Sequence, residues 1–140
     1  MSYRPVITTQ ADVEEMWRFL MGPLGFGRQS LWFVLVAGDG ALVPHVSQID
    51  DVPASATDEE VGAVVDFIHE LVSDLGDPSW RVAFLRSRPG GRGPTPQDRE
   101  WASALVRACR KVGQRCEVVH LATDHDVVPL PEDDLMAVPA

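Results

Sequence analysis

The stretch Arg86-Ser87-Arg88-Pro89-Gly90-Gly91-Arg92-Gly93-Pro94-Thr95-Pro96-Gln97-Asp98-Arg99-Glu100 decides the interpretation of this chain. It follows a short apolar segment and continues as a loop rich in glycine and proline. Thr95 followed by Pro96 then predicts a helix, because threonine is a favoured N-cap and proline a favoured first helical residue. The stretch is therefore a loop that carries arginines to the N-terminus of a helix.

Outward from this loop, hydrophobic periodicity and helix caps predict eight elements. Helices are predicted over residues 9–21, 57–75 and 95–112, and strands over 31–37, 41–48, 80–85, 117–122 and 127–130. The turn Gly38-Asp39-Gly40 predicts an antiparallel hairpin between the first two strands. The order α-β-β-α-β-α-β-β predicts an α/β domain of three layers, with a mixed sheet and flanking helices.

Length and composition indicate one domain with a real core. The chain has 140 residues, of which 45% are hydrophobic, and we expect the domain to span residues 1–130. Residues 131–140 are acidic and bounded by proline, which predicts a disordered tail. The sequence contains no apolar run long enough for a membrane span and no signal-peptide pattern, so a cytoplasmic location with reduced Cys109 and Cys116 is expected.

Charge is distributed unevenly along the chain. The net charge of −9 argues against nucleic-acid binding, which requires surplus cations. Residues 81–115 nevertheless contain eight arginines and Lys111 against Asp98 and Glu100, a balance of +7, so the remainder carries −16. The basic segment either meets an anion or an acidic partner, or is neutralised within the fold.

Several segments resemble a known family. Residues 7–13 resemble its opening helix and residues 31–43 its first strand and turn, while Pro89, Gly91 and Pro94-Thr95-Pro96 match its signature loop, HxHPSGDPTPS followed two residues later by D. His120 lies where such domains often carry a histidine on the next strand. Over residues 6–130 the chain thus resembles the JAB/MPN metalloprotease-like fold, and within it the C-terminal domain of RadC-type proteins.

The resemblance implies a zinc hydrolase whose zinc ligands are absent here. In the family two histidines and an aspartate hold zinc, a serine assists, and a glutamate from an earlier strand activates water. The matching ligand positions are Arg86, Arg88 and Glu100, and Gln97 stands for the serine. Guanidinium stays protonated and offers no lone pair, so it cannot ligate a cation. We therefore expect no catalytic residues, no metal and no cofactor.

The best-supported function at this point is a non-catalytic interaction or scaffold domain with a protein partner. Exposed strand edges and the helix face of Trp17 are candidate homodimer surfaces. The alternative is a module that binds a small anionic or phosphate ligand through four arginines. These candidate binding residues are Arg86, Arg88, Arg92 and Arg99.

Two other hypotheses remain open from the sequence. The arginines could instead pair internally with Glu100, Asp124, Asp126 or the acidic tail Glu132-Asp133-Asp134. A metal-dependent hydrolase with atypical ligands would use His120, Asp124 and His125, although their spacing matches no strong metal motif.

Overall fold

The computed structural model describes residues 5–22, 28–43, 46–53, 55–91 and 93–131, so Arg92 and the tail from residue 132 lie outside the described residues. Within these ranges the helices are α1 Gln10–Met21, α2 Asp58–Asp74 and α3 Pro96–Val112. The strands are β1 Ser30–Val36, β2 Ser47–Asp50, β3 Arg81–Ser87, β4 Arg115–Cys116, β5 Val119–Ala122 and β6 Val127–Leu130. The predicted α/β class is confirmed.

The strands form one mixed sheet in the order β2-β1-β3-β5-β6, with β4 paired beside β3. β1 is antiparallel to both β2 and β3, and β6 is antiparallel to β5. β3 and β5 are parallel, which requires a crossover connection, and α3 provides it. The loop after β3 and the N-terminus of α3 therefore lie at the edge of the sheet where both parallel strands end.

The sheet has an apolar core on each face. Along β3, Val82 and Phe84 belong to the core beneath α2 and α3, whereas Ala83 and Leu85 belong to the core beneath α1. This alternation is the period of two expected for a strand covered on both sides. Trp17 is fully buried in the α1 core, so it does not offer the homodimer surface expected from the sequence.

Threonine caps begin all three described helices. The hydroxyls of Thr9, Thr57 and Thr95 accept from backbone N–H groups three residues further on, which satisfies donors that have no partner inside the helix. α3 ends at Gly113, whose φ of 76° is left-handed and favours glycine. No helix in the described ranges has the length and apolar character needed to cross a membrane.

The strand prediction was wrong in two places. The second strand was predicted over residues 41–48, but Leu42 forms only an isolated bridge to Val36 and β2 begins at Ser47. Residues 44–45, in the middle of the predicted strand, lie outside the described residues. The short β4 was not predicted, because two residues carry no readable periodicity.

Gly40 holds the segment before α1 against the end of β1. The N–H of Ile7 donates to the carbonyl of Gly40 over 2.7 Å. Gly40 has a φ of 90°, and a Cβ at this position would lie 2.8 Å from the carbonyl oxygen of Ile7. Both the conformation and the close approach therefore require glycine.

We expect Gly40→Ala to lower the free energy of unfolding by about 1–3 kcal/mol through backbone strain and steric conflict. Gly62→Ala is the matched control, because Gly62 lies in α2 with nothing within 4 Å of an added Cβ. It should stabilise the chain by about 0.5–1 kcal/mol. Urea unfolding measures both, and equal effects of the two substitutions would contradict the assignment.

Candidate functional site

The two-residue repeat of β3 and the helical repeat of α3 direct Arg86 and Asp98 towards each other. Arg86 lies two residues beyond Phe84 on β3, so it faces the core beneath α2 and α3. Asp98 lies one helical turn before Trp101 and Ala102, which are buried on the inner face of α3. Arg86 therefore belongs to the strand, which was predicted to end at Leu85, and its partner is a residue that the sequence analysis did not select.

Both arginines donate to the same carboxylate. The Nε atoms of Arg86 and Arg88 lie 2.8 and 2.9 Å from Oδ1 of Asp98. Arg88 also donates from Nη2 to Oδ2 of Asp98 over 2.7 Å and to the carbonyl of Gly93 over 3.1 Å. The three side chains Arg86, Arg88 and Asp98 form what we call the arginine–aspartate cluster.

Asp98 is fully buried and also completes the cap of α3. Its Oδ2 accepts from the N–H of Thr95 over 2.8 Å, and the Thr95 hydroxyl accepts from the N–H of Asp98. Burial raises the pKa of Asp98, but hydrogen bonds from Arg88, Arg86 and Thr95 outweigh it and leave this pKa at about 2. The carboxylate is thus ionised and joins a helix cap to an ion-pair network.

Arg86 is only 2% exposed, and one of its nitrogens is left without a partner. Nη2 donates to Oε1 of Gln29 over 2.7 Å, and the guanidinium carbon lies 5.6 Å from the ring centroid of Trp101. Nη1 is buried with no hydrogen-bond partner among the described residues. Two guanidinium groups against one carboxylate also leave the cluster with a charge of +1.

The residues of the cluster do not fit the zinc ion that the resemblance implies. Every nitrogen directed at Asp98 carries a proton, and two guanidinium groups repel a cation. Glu100, which matches the third ligand in the family pattern, is exposed on α3. In the described part of the chain, no three His, Cys, Asp or Glu side chains are grouped so that they could hold a metal ion.

The other sequence candidates do not join this cluster. Arg99 is half-buried, and its Nη1 lies 3.4 Å from the carbonyl of Pro94. Arg92 lies outside the described residues. Asp124 accepts from the N–H of Gly90 over 2.7 Å, and Asp126 pairs with Arg18 of α1 at 2.7 Å. In the described residues the internal pairing of Arg86 and Arg88 therefore uses Asp98 rather than Glu100, Asp124 or Asp126, and the acidic tail Glu132-Asp133-Asp134 lies outside the described residues.

His120, Asp124 and His125 are not grouped so that they could hold a metal ion. His120 is fully buried on β5, where Nδ1 bonds the carbonyl of Val118 over 2.9 Å and Nε2 has no partner. Burial lowers the pKa of His120, which favours the neutral ring. Asp124 and His125 are exposed in the turn before β6.

A scan against models of known protein families finds no match, and a search of curated proteins finds no related sequence. Function must therefore be argued from the geometry of this chain.

We expect Asp98→Asn to lower the free energy of unfolding at pH 7 by about 3–5 kcal/mol, because it leaves two buried guanidinium groups without a counterion. The depressed pKa means that the carboxylate stabilises the fold above its unfolded pKa near 3.8 and that this contribution is lost as pH falls towards 2. The difference between the two chains should therefore shrink with acidification.

Glu100→Gln provides the control, since Glu100 is an exposed carboxylate two residues along the same helix. Urea unfolding of the three chains at several pH values gives the comparison. A cost for Asp98→Asn no larger than that of Glu100→Gln would show that the cluster does not stabilise the fold.

Proposed function

We propose that this chain is a non-catalytic interaction or scaffold domain of the JAB/MPN type, similar to RadC domains, in which an ion-pair cluster has replaced the metal centre. The observation that carries this proposal is the convergence of two nitrogens on one helix carboxylate, one from the end of β3 and one from the loop residue that follows the strand. Arg86 Nε and Arg88 Nε meet Asp98 Oδ1 within 2.9 Å. A zinc site of two histidines and one aspartate likewise needs three side chains directed at one point, although the family pattern places its aspartate at Glu100, two residues after Asp98.

The cluster directs hydrogen-bond donors at its centre, whereas a metal site directs lone pairs at the ion. A zinc ligand must direct a lone pair at the ion, whereas Arg86 and Arg88 direct N–H groups at Asp98. The carboxylate of Asp98 accepts hydrogen bonds from these N–H groups and remains ionised, with its pKa at about 2. The cluster thus fastens α3 to β3 and leaves no acid, base or metal-bound water for hydrolysis.

The proposal agrees with the placement of the remaining candidate chemistry. His120 is enclosed, and Cys109 is buried in the core beneath α2 and α3. A role in binding a partner requires only exposed surface on a rigid frame, and a cytoplasmic location remains part of the proposal.

A double substitution tests whether the frame is that of a metal site. Histidine Nε2 lies as many bonds from Cα as arginine Nε, so Arg86→His/Arg88→His places two lone-pair donors beside Asp98. We expect this variant to bind zinc at least about a hundredfold more tightly than the natural sequence, which should retain none after desalting. Elemental analysis and chelator competition measure the difference.

Adding Asp98→Asn to the double variant is the control and should remove most of the gained affinity. Circular dichroism establishes that each variant is folded before zinc is added. One equivalent of zinc in the natural sequence would overturn the proposal. A folded double variant with no gain in affinity would remove the support that the geometry gives to the JAB/MPN resemblance.

One observation favours the anion-binding alternative. The cluster carries a charge of +1, and Nη1 of the buried Arg86 has no partner. An anion with an oxygen near this nitrogen would satisfy the donor and balance the charge. Phosphate or carboxylate would suit the planar guanidinium group.

Thermal unfolding in inorganic phosphate tests this alternative. A ligand at 100 times its dissociation constant stabilises the folded chain by about 2.7 kcal/mol. If the alternative holds, Arg86→Lys, which removes the unpartnered Nη1, should lose this stabilisation and Arg107→Gln, at an exposed position on α3, should keep it. The same response in all three chains would be a general salt effect and would leave the scaffold proposal preferred.

A further inference from the structure

The outer surface of α2 exposes an apolar row that nothing in the described structure covers. Phe67, Leu71 and Leu75 are 60%, 39% and 51% exposed, and they supply three of the five large hydrophobic side chains exposed among the described residues. They follow one another at four-residue spacing and continue from the exposed Ala63. We call Ala63, Phe67, Leu71 and Leu75 the apolar row.

The apolar row opens at one end into a groove beside the edge of the sheet. A shallow depression of about 400 Å³ lies between α2 and the strands β1 and β2. Its lining is mainly apolar and consists of Phe33, Ser47, Ile49, Ala63, Val64 and Phe67. Row and groove together form a continuous apolar surface, and surfaces of this kind commonly bind a protein partner.

A row of carboxylates runs beside the apolar row. Asp66, Glu70 and Asp74 are exposed, and Glu70 and Asp74 each lie three residues after a member of the apolar row. α2 contains six acidic residues and no lysine or arginine. We call Asp66, Glu70 and Asp74 the acidic row.

The acidic row is not optimised for the stability of the isolated helix. Asp74 lies in the last turn of α2, where the helix dipole disfavours a negative charge, and that turn has no basic residue. Departures from local stability rules are expected where a surface serves function. The position of Asp74 is therefore a second indication that this face binds something positively charged.

We propose that the apolar and acidic rows of α2 form a docking surface for a basic amphipathic helix of a protein partner. An apolar stripe about 18 Å long, at 1.5 Å rise per residue, matches about three turns of a partner helix. Lysines or arginines flanking the partner's apolar face would meet the acidic row. The proposal rests on the proposed function, because it names the partner class of a non-catalytic interaction domain.

The negative charge of the acidic row disfavours three other occupants of this surface. A second copy that paired α2 with α2 would bring two acidic rows together. The chain's own tail begins Glu132-Asp133-Asp134 and carries the same sign. An anionic lipid surface would be repelled in the same way. Only a basic partner complements both rows.

A synthetic amphipathic peptide of leucine and lysine, about 18 residues long so that it can be helical, is the probe. Fluorescence anisotropy of the labelled peptide measures its affinity for the full chain at two ionic strengths. We expect Phe67→Ser to weaken binding about tenfold or more, as loss of a central aromatic contact does. Phe19→Ser is the matched control, since Phe19 is 58% exposed on α1, and it should change affinity less than about twofold.

A second pair of variants tests the charge argument. Glu70→Gln/Asp74→Asn should weaken binding about tenfold at low salt and reduce its salt dependence. Glu15→Gln/Glu100→Gln removes the same number of exposed carboxylates elsewhere and should have less than about a twofold effect. A leucine–glutamate peptide of the same pattern should not bind.

Four results would overturn the proposal. Equal binding by Phe67→Ser and the natural sequence, or equal weakening by the two carboxylate pairs, would mean that the peptide binds by net charge alone. A dimer in sedimentation that Phe67→Ser dissociates would identify a second copy as the occupant. Displacement of the probe by a peptide of residues 131–140 would identify the tail. Zinc uptake by the natural sequence would instead overturn the proposed function. The four results above do not depend on zinc binding, so failure of the docking proposal can be distinguished from failure of the proposed function.

Discussion

The ion pair between Asp98 and two arginines at the end of the central strand is the constraint on which the rest of the architecture depends. Asp98 is fully buried, so its charge requires compensation, which comes from Arg86 on β3 and from Arg88 just after the strand. The same carboxylate caps α3 through Thr95. Because β3 pairs with strands on both sides, fixing α3 to β3 also fixes the helix layer over the sheet.

The cluster shows how the chemistry of a site depends on the atoms directed into it. Side chains from the end of a strand and the start of a helix can be directed at one point whether they hold a cation or hold one another. The difference lies in the donor atoms, since imidazole can present a lone pair and guanidinium presents only N–H groups. In the arginine–aspartate cluster the carboxylate of Asp98 is used for internal pairing.

Local patterns in the sequence predicted the helices, their caps and the strand before the arginine loop, because spacing and cap chemistry act within a few residues. The start of β2 at Ser47 was not predicted, because the apolar residues Leu42 and Val43 suggested a strand that begins earlier. Asp98 was missed because its position after Thr95 already suggested an ordinary cap. Asp98 lies one helical turn before the buried Trp101, and this spacing could have predicted that its side chain is buried. Its pairing with Arg86 and Arg88 joins separate elements, which spacing along the sequence does not reveal.

The sheet has two unlike edges. β6 forms one edge and contains Pro129, and β2 forms the other and contains Ser47, Gln48, Ile49 and Asp50. Proline in an edge strand lacks a backbone donor, so a further strand would lose a ladder hydrogen bond there. Growth of the sheet by strand addition is therefore less favourable along β6 than along β2, where the polar residues of the strand are what opposes it.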